Sequence, residues 1–150
     1  MSERDVRLED MLPLMLEALE RGQSVRFSPR GTSMRPMLRQ GLDSVTLSPV
    51  RGRLKKYDLP FYRRADGHCV LHRIVAVGET YTCVGDNQFQ REPGLTHEQM
   101  LAVVTAFSRG EKEYSVNAPA YRLYCRFWHI TRPARHLWRW GIARIRRIFK

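Results

Sequence analysis

Apolar residues recur at helical spacing near the start of the chain. Leu8, Met11, Leu12, Met15, Leu16 and Leu19 alternate with Glu9, Asp10, Glu17 and Glu20. This predicts an amphipathic helix ending near Gly22. Pro13 suits the first turn of a helix, which puts the start of its regular part near Leu12. The pattern then shortens. Ser24 to Phe27 reads as extended, and Pro29, Gly31 and Pro36 punctuate a loop. Strand signals follow at 44–47, at 59–63 with Pro60 marking an edge, and at 69–77. Residues 80–84 read as the hairpin partner of 69–77 across Gly78-Glu79. Further strands are expected at 100–107 and 114–116, joined through Arg109-Gly110. Short strands separated by Gly and Pro turns predict a mostly β (α+β) domain.

The last thirty residues change character. Projected at roughly 100° per residue, Leu137, Trp138, Ile142, Ile145, Ile148 and Phe149 share one arc with Gly141. Arg135, Arg139, Arg146, Arg147 and Lys150 lie opposite, with Arg144 at the edge of the apolar arc and Trp140 on the basic side. The pattern predicts a basic amphipathic helix, separated by Pro133 from a helical stretch over 121–130. The chain thus divides into an N-terminal helix (1–22), a β-rich body (23–118) and a basic helical tail (119–150).

Composition sharpens this picture. The chain has 150 residues, 43% hydrophobic and 27% charged, which is globular and enough for one core. Its net charge of +11 is uneven. Residues 114–150 hold nine basic residues and no acid, whereas residues 1–113 hold 17 basic and 15 acidic residues. An argument from charge to partner therefore concerns the tail. Cys69, Cys83 and Cys125 stand far apart with no CxxC spacing, which excludes a zinc ribbon or a disulfide framework and suits a reducing compartment. No apolar run is long enough to span a bilayer. Six acids among Met1–Glu20 exclude a signal peptide there. No metal or other cofactor is called for.

Three segments carry candidate chemistry. Gly31-Thr32-Ser33-Met34-Arg35-Pro36 can hold a serine hydroxyl exposed with its backbone N–H free, as a nucleophile and oxyanion donor require. Leu71-His72-Arg73-Ile74-Val75 places a histidine in an apolar strand, where it can act as general base. Gly85-Asp86-Asn87-Gln88, followed by Arg91-Glu92-Pro93, offers a carboxylate to orient that base. Each alone reads as an ordinary turn or core feature.

Together, in this order and spacing, they resemble the signal peptidase I superfamily of serine peptidases, in its Ser-His branch. Ser33-Met34-Arg35-Pro36 looks like the nucleophile box, Tyr57-Asp58-Leu59-Pro60-Phe61-Tyr62 like the strand box, Leu71–Val75 like the base box and Gly85–Gln88 like the Gly-Asp-Asn box. The resemblance covers residues 23–106. Bacterial signal peptidases and self-cleaving SOS repressors carry a lysine where this chain has His72, and Lys55, Lys56 and Lys112 lie outside the matching segment.

The resemblance implies a signal-peptidase-like fold, Ser33 as nucleophile and His72 as base, with Asp86 or Glu92 as the third member. It also implies an oxyanion site at Ser33 and Thr32, and substrate contacts at Met34 and Pro36. Gly31 stands where many signal peptidases carry an oxyanion-binding serine.

The implied activity is serine endopeptidase action on a leader or signal segment of a peptide or protein. The family's transmembrane anchor is not evident, and the tail can take its place. Trp138, Arg139, Ile142, Ile145, Arg146 and Phe149 suit a membrane surface. The competing expectations are that the apolar face packs on the body, or that the arginines bind nucleic acid. The corresponding rival functions are a non-catalytic membrane-surface or partner-binding module and a repressor-like nucleic-acid binder. The latter is disfavoured because the N-terminal segment reads as one acidic helix. The expected location is cytoplasmic, peripheral on the inner membrane face.

Overall fold

The computed structural model describes residues 8–149; the part of the predicted N-terminal segment before Leu8, and Lys150, lie outside them. Helix α1 runs Leu8–Glu20 and buries Met15 and Leu19. Pro13 lies inside it, not in its first described turn. The carbonyl that loses its helical donor to Pro13 belongs to Glu9, which is exposed, so the interruption falls on the solvent side.

Strands β1 (Val25–Phe27), β2 (Asp43–Ser48), β3 (Pro60–Arg63), β4 (Cys69–Leu71), β8 (Met100–Arg109) and β9 (Lys112–Ser115) form one antiparallel sheet. Its order is β1-β2-β8-β3-β4, with β9 also paired to β8. Strands β5 (Arg73–Val77), β6 (Tyr81–Val84) and β7 (Glu92–Leu95) form a second antiparallel sheet. Two helices close the described chain, α2 (Pro119–Ile130) and α3 (Arg132–Ile148). The fold is mixed α+β and β-rich, as the pattern predicts.

The stretch 69–77, expected as one strand, is broken at His72 between β4 and β5. The chain changes sheets there, so the apolar run serves two sheets in turn. β7 was not expected, because Pro93 and Gly94 look like loop punctuation. It pairs with β6 through Tyr81↔Leu95 and Cys83↔Glu92.

The main core joins α1, α2 and the larger sheet, with Val45, Leu47, Phe61, Ala102 and Val104 at its centre. Met34, Met37 and Leu38 anchor the serine-bearing loop in the same core. A smaller core beneath the second sheet contains Tyr62, Ile74, Tyr81 and Cys83. Asp43 ties β2 to the β8–β9 turn. Its carboxylate accepts from the Arg39 guanidinium at 2.9 Å and from the Gly110 N–H at 2.8 Å. The hydrogen bond from Arg39 leads in holding its pKa down to about 2.

Candidate active site

The turn carrying Ser33 is set by two glycines. Gly31 has φ +87°, a conformation that a side chain at this position would strain. Gly85 passes so close that a Cβ there would meet the Ser33 carbonyl oxygen at 2.7 Å. The approach lets the Asn87 N–H donate to the Ser33 carbonyl at 2.8 Å, and Asn87 Nδ2 to the Thr32 carbonyl at 3.1 Å. Ser33 is half-buried, and its own N–H and hydroxyl make no hydrogen bond among the described residues. A free hydroxyl beside a free N–H is what a nucleophile and its oxyanion donor need.

His72 sits at the sheet-to-sheet break and is only 3% exposed. Its Nδ1 lies 3.3 Å from Glu92 Oε1 and 3.3 Å from the Tyr62 hydroxyl. Glu92 reaches it because β7 pairs with β6, and β6 with β5, which His72 directly precedes. Arg64 Nε donates to the other Glu92 oxygen at 2.9 Å, and its Nη2 pairs with Oε1. Burial pushes the His72 pKa below the ordinary imidazole value, and Glu92 opposes the shift. Hydrogen bonding from Arg64 holds the Glu92 carboxyl below its ordinary value. The result is a neutral imidazole beside an ionised carboxylate. With Nδ1–H directed to Glu92, Nε2 keeps its lone pair for a proton.

Asp86 does not take the orienting role. It is fully buried, and its two oxygens accept from Arg73 Nε at 2.8 Å and Nη2 at 2.9 Å. The Tyr124 hydroxyl donates to the same carboxylate at 2.9 Å. Alternation explains the separation. His72 and Arg73 are neighbours and point opposite ways, so one side chain faces the serine side and the other faces α2. Arg73 also reaches the Tyr121 hydroxyl at 2.8 Å and Cys125 Sγ at 3.0 Å. Burial disfavours its charge, but Asp86 more than compensates and its pKa rises. Asp86 is thus the counter-ion of Arg73, and Glu92 is the carboxylate beside His72.

Ser33 and His72 line one cleft of about 1160 Å³. They are not hydrogen-bonded to each other. The cleft runs past Phe27 and Ser28 at β1 and past Cys69, Val70 and Leu71 of β4. β1 and β4 are edge strands of the larger sheet, each paired on one side only among the described residues. Of the two residues expected at the substrate, Met34 lines the cleft, whereas Pro36 is exposed and does not line it. Thr32 is also exposed and outside the lining, and its carbonyl accepts from Asn87 Nδ2. No group of three potential metal ligands clusters among the described residues.

The tail reaches this site from behind. Trp128 Nε1 donates to the Asp86 carbonyl at 2.7 Å. Arg132 donates to the Gly85 carbonyl at 3.1 Å and to the Gln88 carbonyl at 2.5 Å. Arg139 donates to the Asn87 carbonyl at 3.3 Å and to its side-chain oxygen. So the basic side of α3 grips the loop that braces Ser33. Arg139, expected at a membrane surface, faces the body instead, with its guanidinium 5.3 Å from the Phe89 ring centre. Trp138, Ile145, Arg146 and Phe149 are exposed, and Ile142 is half-buried. The expectation that the apolar face packs on the body does not hold. None of the described helices is long and apolar enough to cross a membrane.

Tyr62, Arg64 and the arginine grip were not foreseen. Tyr62 ends the strand box, but a tyrosine in an apolar strand reads as core. Arg64 carries no local signal, since its meaning depends on where β7 lies. The chain matches no family model, no curated protein and no solved structure.

Proposed function

We propose that this chain is a serine endopeptidase of the signal-peptidase type. The observation carrying this reading is that Ser33 and His72, distant in sequence, line one cleft while the Glu92 carboxylate meets Nδ1 of the imidazole. In the proposed reaction His72 Nε2 takes the Ser33 hydroxyl proton as Oγ attacks the scissile carbonyl carbon. The oxyanion is received by Ser33 N–H. Collapse breaks the C–N bond, and the proton on His72 passes to the leaving amine. Water, deprotonated by His72, then hydrolyses the acyl ester and restores Ser33. Glu92 fixes the tautomer and favours the imidazolium formed in between.

The substrate is an extended peptide. Two sheet edges with unpaired backbone groups border the cleft, which suits strand-like pairing on either side of the bond. Met11, Met15, Phe27, Met34, Leu38 and Phe61 make much of its wall apolar. Small apolar residues before the cut, as in a leader or signal segment, fit this lining.

The enzyme works in the cytoplasm, peripheral on an inner membrane face. Three free cysteines and an outward apolar face on α3 favour that location. The nucleic-acid reading loses support because Arg132 and Arg139 are engaged with the body.

Trapping the intermediate tests the chemistry. Enzyme quenched in acid during turnover of a peptide pool should carry an acyl group on Ser33, seen by intact mass and mapped by fragmentation. An acyl group on another residue would overturn the assignment.

A further inference from the structure

We propose that the outward face of α2 and α3 together is a docking surface for an anionic lipid bilayer. This surface supplies the attachment on which the location given above rests, and it is independent of the peptidase chemistry.

The basic side of α3 is the one that meets the body. Arg132 and Arg139 project toward the body and donate to the Gly85, Asn87 and Gln88 carbonyls. The apolar arc is on the opposite side of the helix. Leu137 is therefore 70% exposed, Trp138 72% and Ile148 71%, with Ile145 and Phe149 exposed beside them. A lone amphipathic helix packing for its own stability would bury this arc and leave the arginines in water.

The surface continues onto α2. Tyr121 and Cys125 point into the core. Leu123, Phe127 and Ile130, at helical spacing on the other side, are 68%, 60% and 72% exposed. Two consecutive helices thus present their large apolar side chains away from the body. Large exposed apolar side chains grouped on consecutive helices mark an interaction surface.

Charge selects the occupant. Residues 114–150 contain no acid. Arg122, Arg126 and Arg144 are exposed, and Arg144 stands at the edge of the apolar arc, where its stem can follow the arc and its guanidinium can meet phosphate; Arg146 and Arg147, exposed on the other side, add to the positive field of the helix. A second copy of this chain would bring the same cationic face and repel it. A nucleic acid would use the arginines but leave the leucine, isoleucine and phenylalanine side chains in water. An anionic bilayer satisfies both halves, with apolar groups below the headgroups and arginines among them. α3 lies in the plane of the surface, since its charges forbid crossing.

Co-sedimentation of the full chain with vesicles tests this. Vesicles of phosphatidylcholine with phosphatidylglycerol should carry the protein down and shift its tryptophan emission to the blue. Pure phosphatidylcholine should bind it far less, and added salt should weaken the binding. Phe127→Glu and Ile145→Glu, both at exposed positions, should each cut partitioning by at least about tenfold. Ser33→Ala should bind as the wild type does, which separates this surface from the peptidase reading. The proposal is overturned if the wild type stays in the supernatant or if both glutamate variants bind unchanged. It is also overturned if the same substitutions instead dissolve a concentration-dependent dimer, or abolish salt-sensitive nucleic-acid binding by a chain that ignores the vesicles.

Discussion

Asp86 and Glu92 are two carboxylates on one short stretch of chain, and their surroundings give them different work. Glu92 shares Arg64 and touches His72, whereas Asp86 is enclosed with Arg73 and Tyr124. Exchange of each carboxylate for its amide separates the roles. Glu92→Gln removes the charge that raises the His72 pKa, while burial and Arg64 still lower it. The acid limb of the kcat/KM–pH profile should therefore move to lower pH, and kcat should fall by at least about tenfold. Glu92→Asp should restore part of both. In the wild type the limb itself should lie below the ordinary imidazole range, because the folded His72 resists protonation. Asp86→Asn leaves the Arg73 charge buried and uncompensated, so urea unfolding should report a loss of about 3–5 kcal/mol. Its pH limb should not move in the direction seen for Glu92→Gln.

At the scale of elements, the Gly85–Gln88 loop lies between the nucleophile turn and the tail helices. Gly85→Ala tests its contact with Ser33. A Cβ there would meet a backbone oxygen at 2.7 Å, so the serine turn must shift. kcat should fall more than tenfold, on the order of the losses that small misplacements of catalytic groups cause. The protein should stay folded by circular dichroism and lose on the order of 1–3 kcal/mol of stability. Unchanged kcat would mean that the loop does not position Ser33.

The same elements show what was legible in the sequence. Turn chemistry is local, so Gly31, Ser33 and the Gly-Asp-Asn turn could be found by their residue types. His72 could be found as a histidine in an apolar run, but the break that gives it a functional position could not. That break comes from a change of sheet, which periodicity does not encode. Glu92 could be placed beside His72 only through the Cys83↔Glu92 register, and the Pro93-Gly94 pair disguises its strand. The helical projection gave the two faces of α3 correctly but not which one meets the body. Backbone carbonyls of the Gly85–Gln88 loop decide that, because they accept guanidinium donors and have no use for leucine.

Over the whole molecule, a nearly neutral body holds the cleft and a cationic helix pair braces it from behind. The serine and the base come from two regions joined by one core, while the sheet edges that border the cleft leave backbone groups available to a peptide. The central claim is that Ser33 and His72 together hydrolyse peptide bonds. Its most direct test is mass-spectrometric mapping of cuts in a diverse peptide library by the wild type, Ser33→Ala and His72→Ala, each with anionic vesicles present. The account predicts wild-type cuts after small apolar residues and none above background with either variant. Cuts that persist in Ser33→Ala, or that are as fast in His72→Ala as in the wild type, would contradict it.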